Sequence, residues 1–73
     1  MPTNTKVLFV DDDGSMRDAM QRVLRKSFAV EVASSGAEAL SRLASDGPYA
    51  VMITDMQMPV MNGIELIQRA AAR

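Results

Sequence analysis

Seventy-three residues with a formal net charge of -1 at neutral pH suffice for one small domain, and a chain of this size buries only a little over ~60% of the surface it exposes when unfolded. It has no cysteine and no histidine, which excludes a disulfide framework and zinc sites built on those ligands, and leaves hard, oxygen-binding ions such as magnesium or calcium as the metals it could hold. Charges of both signs are scattered rather than gathered in a basic stripe, no apolar run reaches the length of a membrane span, and residues 1–6 lack the pattern of a secretory signal; the expectation is a cytoplasmic domain with no direct nucleic-acid or membrane partner.

Residues 7–10, Val-Leu-Phe-Val, form an apolar run that stops at Asp11-Asp12-Asp13, as a strand buried on both faces does. Ser15 with Asp18 three residues later resembles a capping box, and Met16, Ala19, Met20, Val23 and Leu24 follow at helical spacing. They predict a helix of about three turns, with Met16 and Met20, like Met52 further along, as core filler. Residues 28–33 alternate, Val30 and Val32 against Glu31, which predicts a half-exposed edge strand. Ser35 with Glu38 offers a second capping box, Ala37, Leu40, Leu43 and Ala44 supply one apolar stripe, and Asp46-Gly47-Pro48 ends that helix. Residues 49–54 return as an apolar strand running into Asp55 and Met56-Gln57-Met58-Pro59, after which Asn62 and Glu65 cap a last helix bearing Ile64, Ile67 and Ala71.

Strands and helices thus alternate, and alternation of this kind predicts a parallel sheet. Right-handed crossovers with the first strand central give the spatial order 2-1-3, with the first helix on one face and the other two on the opposite face. The third strand is as apolar as an interior strand, yet nothing after it in this sequence pairs with its outer edge. The chain therefore reads as the front part of a larger domain, ending after its third βα unit.

In the 2-1-3 order the first and third strands are neighbours, about 4.8 Å apart, and their carboxylates converge at one end of the sheet, where open α/β sheets place ligands. Three carboxylates about 5 Å apart repel by roughly 3 kcal/mol per pair at an effective dielectric near 20. Such a cluster calls for a cation. Taken alone, Asp11-Asp12-Asp13 would equally be a solvated turn capping the first helix; Asp55 on the neighbouring strand tips the reading toward a metal pocket. Arg17 reads as a solvated helix residue, Asp13 as a turn residue or helix cap, and Asn62 as a plain helix cap. Met56, Met58 and Met61 either cover the pocket or rest on helices that this sequence does not contain.

The acidic turn at residues 10–13, the run Ala33-Ser34-Ser35-Gly36-Ala37-Glu38-Ala39-Leu40 and the run Thr54-Asp55-Met56-Gln57-Met58-Pro59-Val60-Met61-Asn62-Gly63 together resemble the receiver domain of two-component response regulators. The resemblance implies a flavodoxin-like doubly wound parallel sheet, here an incomplete receiver over residues 1–73. It implies Asp55 as phosphoacceptor, a sensor histidine kinase or phosphotransfer protein as donor, and an effector domain whose kind the sequence does not specify. It also implies Mg2+ held by Asp12 and Asp55 directly, by Asp11 through a water and by the backbone carbonyl of Gln57, whose side chain lies near the phosphoryl group. A receiver also carries a hydroxyl after its fourth strand and a lysine after its fifth, which this sequence does not contain. Lys6 and Lys26 sit too far from the acids to replace the lysine, so weak magnesium binding and poor phosphorylation are expected.

Two other classes fit parts of the pattern. Asp11-x-Asp13-Gly14-Ser15 after an apolar strand resembles the motif of haloacid dehalogenase-type phosphatases, with Asp11 as nucleophile and Asp13 as acid/base, a reading that leaves Asp55 without a role. Alternatively the chain is a structural half-domain that forms a homodimer through the exposed edge of its third strand. An EF-hand loop is excluded by the missing glycine and glutamate.

Overall fold

The computed structural model describes residues 5–72. Three strands, β1 (Lys6–Val10), β2 (Ala29–Ala33) and β3 (Val51–Thr54), alternate with three helices, α1 (Gly14–Leu24), α2 (Gly36–Ser45) and α3 (Gly63–Ala71). All pairing is parallel, and the order is β2-β1-β3. This is the doubly wound order read from the sequence, with β1 central because it is apolar on both faces.

The register assigns the faces. Leu8 and Val10 lie beside Met52 and Thr54 and join Ala33, Ala39, Leu66, Met58 and Met61 in one buried cluster beneath α2 and α3. Val7 and Phe9 lie beside Val51 and Ile53 on the opposite face, where α1 packs against β1 and β2. One helix about 10–12 Å wide cannot cover three strands set about 4.8 Å apart. Val51 and Ile53 therefore remain exposed, and so do Met16 and Val23 on α1, which buries no residue fully. Met16, expected as core filler, is thus corrected to a half-exposed residue on the thinly covered face, whereas Met52 does pack against the core.

Helix starts follow the polar residues before each apolar run, with one correction. Ser35 and Asn62 are the N-caps of α2 and α3, their side chains accepting from the backbone N–H of Glu38 and Glu65. The cap of α1 is Asp13, not Ser15: its carboxylate accepts from Ser15 N–H at 2.9 Å. Both residue types cap well, and the chain turns early because β1 ends at Val10. The second capping box also closes differently, since the Glu38 carboxylate accepts from Ser34 N–H and Ser34 Oγ rather than from the cap residue itself. Those two hydrogen bonds, helped by the charges of Arg42 and Arg17, hold Glu38 below the usual carboxylate range.

At the amino end of the sheet a polar network anchors β2 to the α2–β3 connection. The Tyr49 hydroxyl donates to the Glu31 carboxylate, Lys6 and Arg42 pair with the same carboxylate, and the Lys6 ammonium stands 4.8 Å from the Tyr49 ring centre. Burial and the Glu31 hydrogen bond push the Tyr49 phenol up to about 12. Lys6 is thus engaged at the end of the sheet opposite the acids, as its position in the chain required.

Candidate functional site

Backbone hydrogen bonds tie the carboxyl end of β1 to those of both its neighbours, β3 and β2. Asp55 N–H donates to the Val10 carbonyl at 2.9 Å, and Asp11 N–H donates to the Ala33 carbonyl at 3.1 Å. Because the strands are parallel neighbours, the residues following them emerge side by side. One carboxylate oxygen each from Asp11, Asp12 and Asp55 lies within 4.8 Å of the others. Asp11 is buried, Asp55 half-buried and Asp12 exposed, so the group opens to solvent on one side and is walled by the sheet on the other.

Short backbone contacts orient two of the three carboxylates. Asp11 Oδ1 accepts from Asp13 N–H at 2.9 Å, and Asp55 Oδ1 accepts from Gln57 N–H at 3.1 Å. Each is an aspartate turn that folds the chain back over its own side chain and leaves the second oxygen available. Asp13 stands apart, its carboxylate spent on capping α1. The carboxylates that converge are those of Asp11, Asp12 and Asp55, a grouping the phosphatase-type pairing of Asp11 with Asp13 does not use.

The loop between β3 and α3 closes one side of the site. Met58 and Met61 turn inward and join the buried cluster beneath α2 and α3, a placement outside both alternatives read from the sequence; Met56 faces out. A groove of about 320 Å³ runs between this loop and the start of α2, with Asp12, Ser34 and Ser35 at its polar edge and Met58 and Met61 in its floor. Gly63 lets the loop return close to the acid: a Cβ built there would lie 2.4 Å from the Asp55 carbonyl oxygen and 2.9 Å from Met56 Cα. The glycine of the motif is thus required by close approach of two backbones.

Val60 at the tip of the loop has φ 70° and is fully exposed. No glycine or asparagine marks the position, and the left-handed conformation is strained for a β-branched residue. Val60→Gly is expected to stabilise the fold by about 0.5–1 kcal/mol, the relief of about 1–2 kcal/mol being partly offset by glycine's greater unfolded-state freedom. A urea unfolding midpoint that stays put or falls would contradict that assignment of strain.

Arg17 was expected to be solvated. Its Nη1 instead donates to the Asp11 carbonyl at 2.8 Å, and the side chain is only partly exposed. Arg17 lies in the first turn of α1, one turn from the acids, and that spacing alone does not separate a solvated side chain from one that reaches back to the turn.

Among the described residues no helix is long and apolar enough to cross a membrane. Residues 7–73 match the family model for the response regulator receiver domain. The chain is 40% identical over 65 residues to the response regulator MprA of Mycolicibacterium vanbaalenii, an alignment covering 88% of this chain and 28% of that protein. Among solved structures, the chemotaxis protein CheY4 of Vibrio cholerae superposes with a TM-score of 0.88 at 37% identity, covering 96% of this chain and 58% of that one. A structure titled as an adenylate cyclase from Rhodopirellula baltica gives 0.94 at 40% identity, covering 96% and 52%. The chain therefore spans under a third of its curated relative and little more than half of these solved chains. With its sheet order, its acid cluster and its motif all those of the matched family, this chain belongs to the response regulator receiver domains.

Proposed function

We propose that Asp55 accepts a phosphoryl group from a phosphohistidine on a sensor histidine kinase or phosphotransfer protein, and that this modification switches an effector domain within a cytoplasmic two-component system. The observation that carries the proposal is the convergence of Asp11, Asp12 and Asp55 within 4.8 Å at the carboxyl ends of adjacent parallel strands. Three hard oxygen donors on a half-open rim suit Mg2+, which binds through one or two carboxylates and keeps several waters; the Gln57 carbonyl, beside Asp55 in the same turn, is the proposed backbone ligand. When bound, the ion neutralises charge so that an anionic nucleophile can meet an anionic phosphoryl group.

The chain's own groups do the positioning. Gln57 N–H fixes one oxygen of Asp55, and the other attacks phosphorus. A bond forms from that oxygen to phosphorus, the phosphorus–nitrogen bond of the donor breaks, and the leaving imidazole takes up a proton. Asp55 ends as an acyl phosphate, so the domain is a signalling acceptor rather than an enzyme acting on a separate substrate. Residues 7–73 would supply the first three βα units of a receiver.

Incubation with Mg2+ and a small phosphodonor such as acetyl phosphate, followed by intact-mass spectrometry, tests this. Slow gain of one hydroxylamine-labile phosphoryl group is expected, absent from Asp55→Asn. Modification that persists in Asp55→Asn, or none after long incubation, would overturn the assignment.

A second reading concerns association. β3 is an edge strand whose Val51 and Ile53 are exposed, a configuration prone to pairing with another chain. We infer that this 73-residue chain forms a homodimer through that edge; sedimentation velocity across concentrations should show a dimer that dissociates on dilution and is lost in Ile53→Lys. A monomer at all concentrations would rule it out.

A further inference from the structure

The carbonyl of Asp11 lies just past the end of β1, at a buried residue, where a backbone acceptor needs a donor. Arg17 Nη1 supplies one at 2.8 Å. The guanidinium lies against the first turn of α1, so close that a Cβ on Gly14 would stand 3.3 Å from Nη2. Its charge also reaches Glu38 at the start of α2. Yet Arg17 forms no ion pair with a carboxylate among the described residues. Its contact with the acid cluster runs through backbone, not through charge.

That backbone atom is informative. The Asp11 carbonyl belongs to the peptide plane joining Asp11 to Asp12, and a planar peptide carries both α-carbons with it. Pinning the carbonyl therefore fixes the plane that links the two α-carbons and narrows the ψ of Asp11 and φ of Asp12 on which the directions of both side chains depend. From this geometry we propose that Arg17 is a positioning residue for Asp11 and Asp12, locking the peptide between them so that both carboxylates face Asp55. The role rests on reading the three aspartates as a divalent-cation site, and Arg17 acts on that site as an outer-layer partner.

The test is a Mg2+ titration of the 73-residue chain followed by 1H–15N NMR at the amides of Asp11, Asp12 and Asp55, with urea unfolding in parallel. Arg17→Met is expected to weaken Mg2+ binding by about tenfold or more, the usual consequence of losing a group that orients metal ligands. Arg17→Lys, which keeps a donor on a long stem, should recover most of it. A purely structural role would lower stability and leave the affinity of the folded population unchanged.

Binding by Arg17→Met within about twofold of the parent, or tighter than the parent because a nearby positive charge has gone, would overturn the proposal. If Arg17→Met does not fold, Arg17→Lys is compared with Arg17→Gln, whose stem is too short to reach; equal affinities would overturn it as well. A parent chain that binds no Mg2+ would reject the cation site and this role together, whereas a binding parent with an unaffected Arg17→Met rejects only the role of Arg17.

Discussion

Asp12→Asn is expected to raise the melting temperature in the absence of divalent ions and to abolish the further rise that Mg2+ produces in the parent. Asp12 is the exposed member of a group of three carboxylates whose oxygens lie within 4.8 Å of one another. Coulomb repulsion at that spacing approaches 3 kcal/mol per pair at an effective dielectric near 20, and exposure to water reduces it to about 1 kcal/mol, enough to move the transition by roughly 4–8 °C in a domain this small. The side chain it replaces is not an oriented acceptor like those of Asp11 and Asp55, so little is lost in exchange. In the parent, any ion that binds only the folded state adds stability by mass action. Thermal melts with and without MgCl2 decide the matter: a destabilised Asp12→Asn, or one that still gains from Mg2+, would mean the acids do not form one site.

Gly63→Ala is expected to be the most damaging single-methyl addition near the site. The new Cβ would sit 2.4 Å from the Asp55 carbonyl oxygen and 2.9 Å from Met56 Cα, and neither is the free end of a flexible side chain. Gly63 also opens α3 and donates its N–H to the Met56 carbonyl at 3.2 Å, so the helix and the loop must move apart together. Overpacking against backbone costs about 3 kcal/mol, or roughly 10–20 °C in melting temperature, a large share of what so small a domain has. The displacement is centred on Asp55, so Mg2+ affinity should fall with stability. A far-UV circular dichroism melt within about 3 °C of the parent would show that the loop yields more easily than its contacts indicate.

The sheet and the acid cluster were legible because both rest on short-range rules. The four apolar residues before Asp11 declare a strand buried on both faces, the apolar run through Ile53 declares its neighbour although one face of β3 stays exposed, and a right-handed crossover leaves few ways to arrange them. Ser35 and Asn62 were readable as caps for the same reason. The choice of Asp13 over Ser15 was not, since both can cap and only the point where β1 ends decides between them. Met16 was misjudged because its burial depends on how much of the sheet one helix covers, a property of the assembled layers. Arg17 reaching back to Asp11, Val60 in the left-handed region and the Glu31–Tyr49–Lys6–Arg42 network all depend on side chains or turns brought together after folding, and nothing in their local sequence announces them.

The central place of β1 has a consequence for synthesis. It leaves the ribosome first, yet both of its hydrogen-bonded neighbours are encoded later, β2 from residue 29 and β3 from residue 51. At usual elongation rates the most apolar segment of the nascent polypeptide waits on the order of seconds without its second neighbour. Over that interval the three aspartates that follow it keep negative charge beside the unpaired strand, and charge flanking an apolar segment opposes premature association.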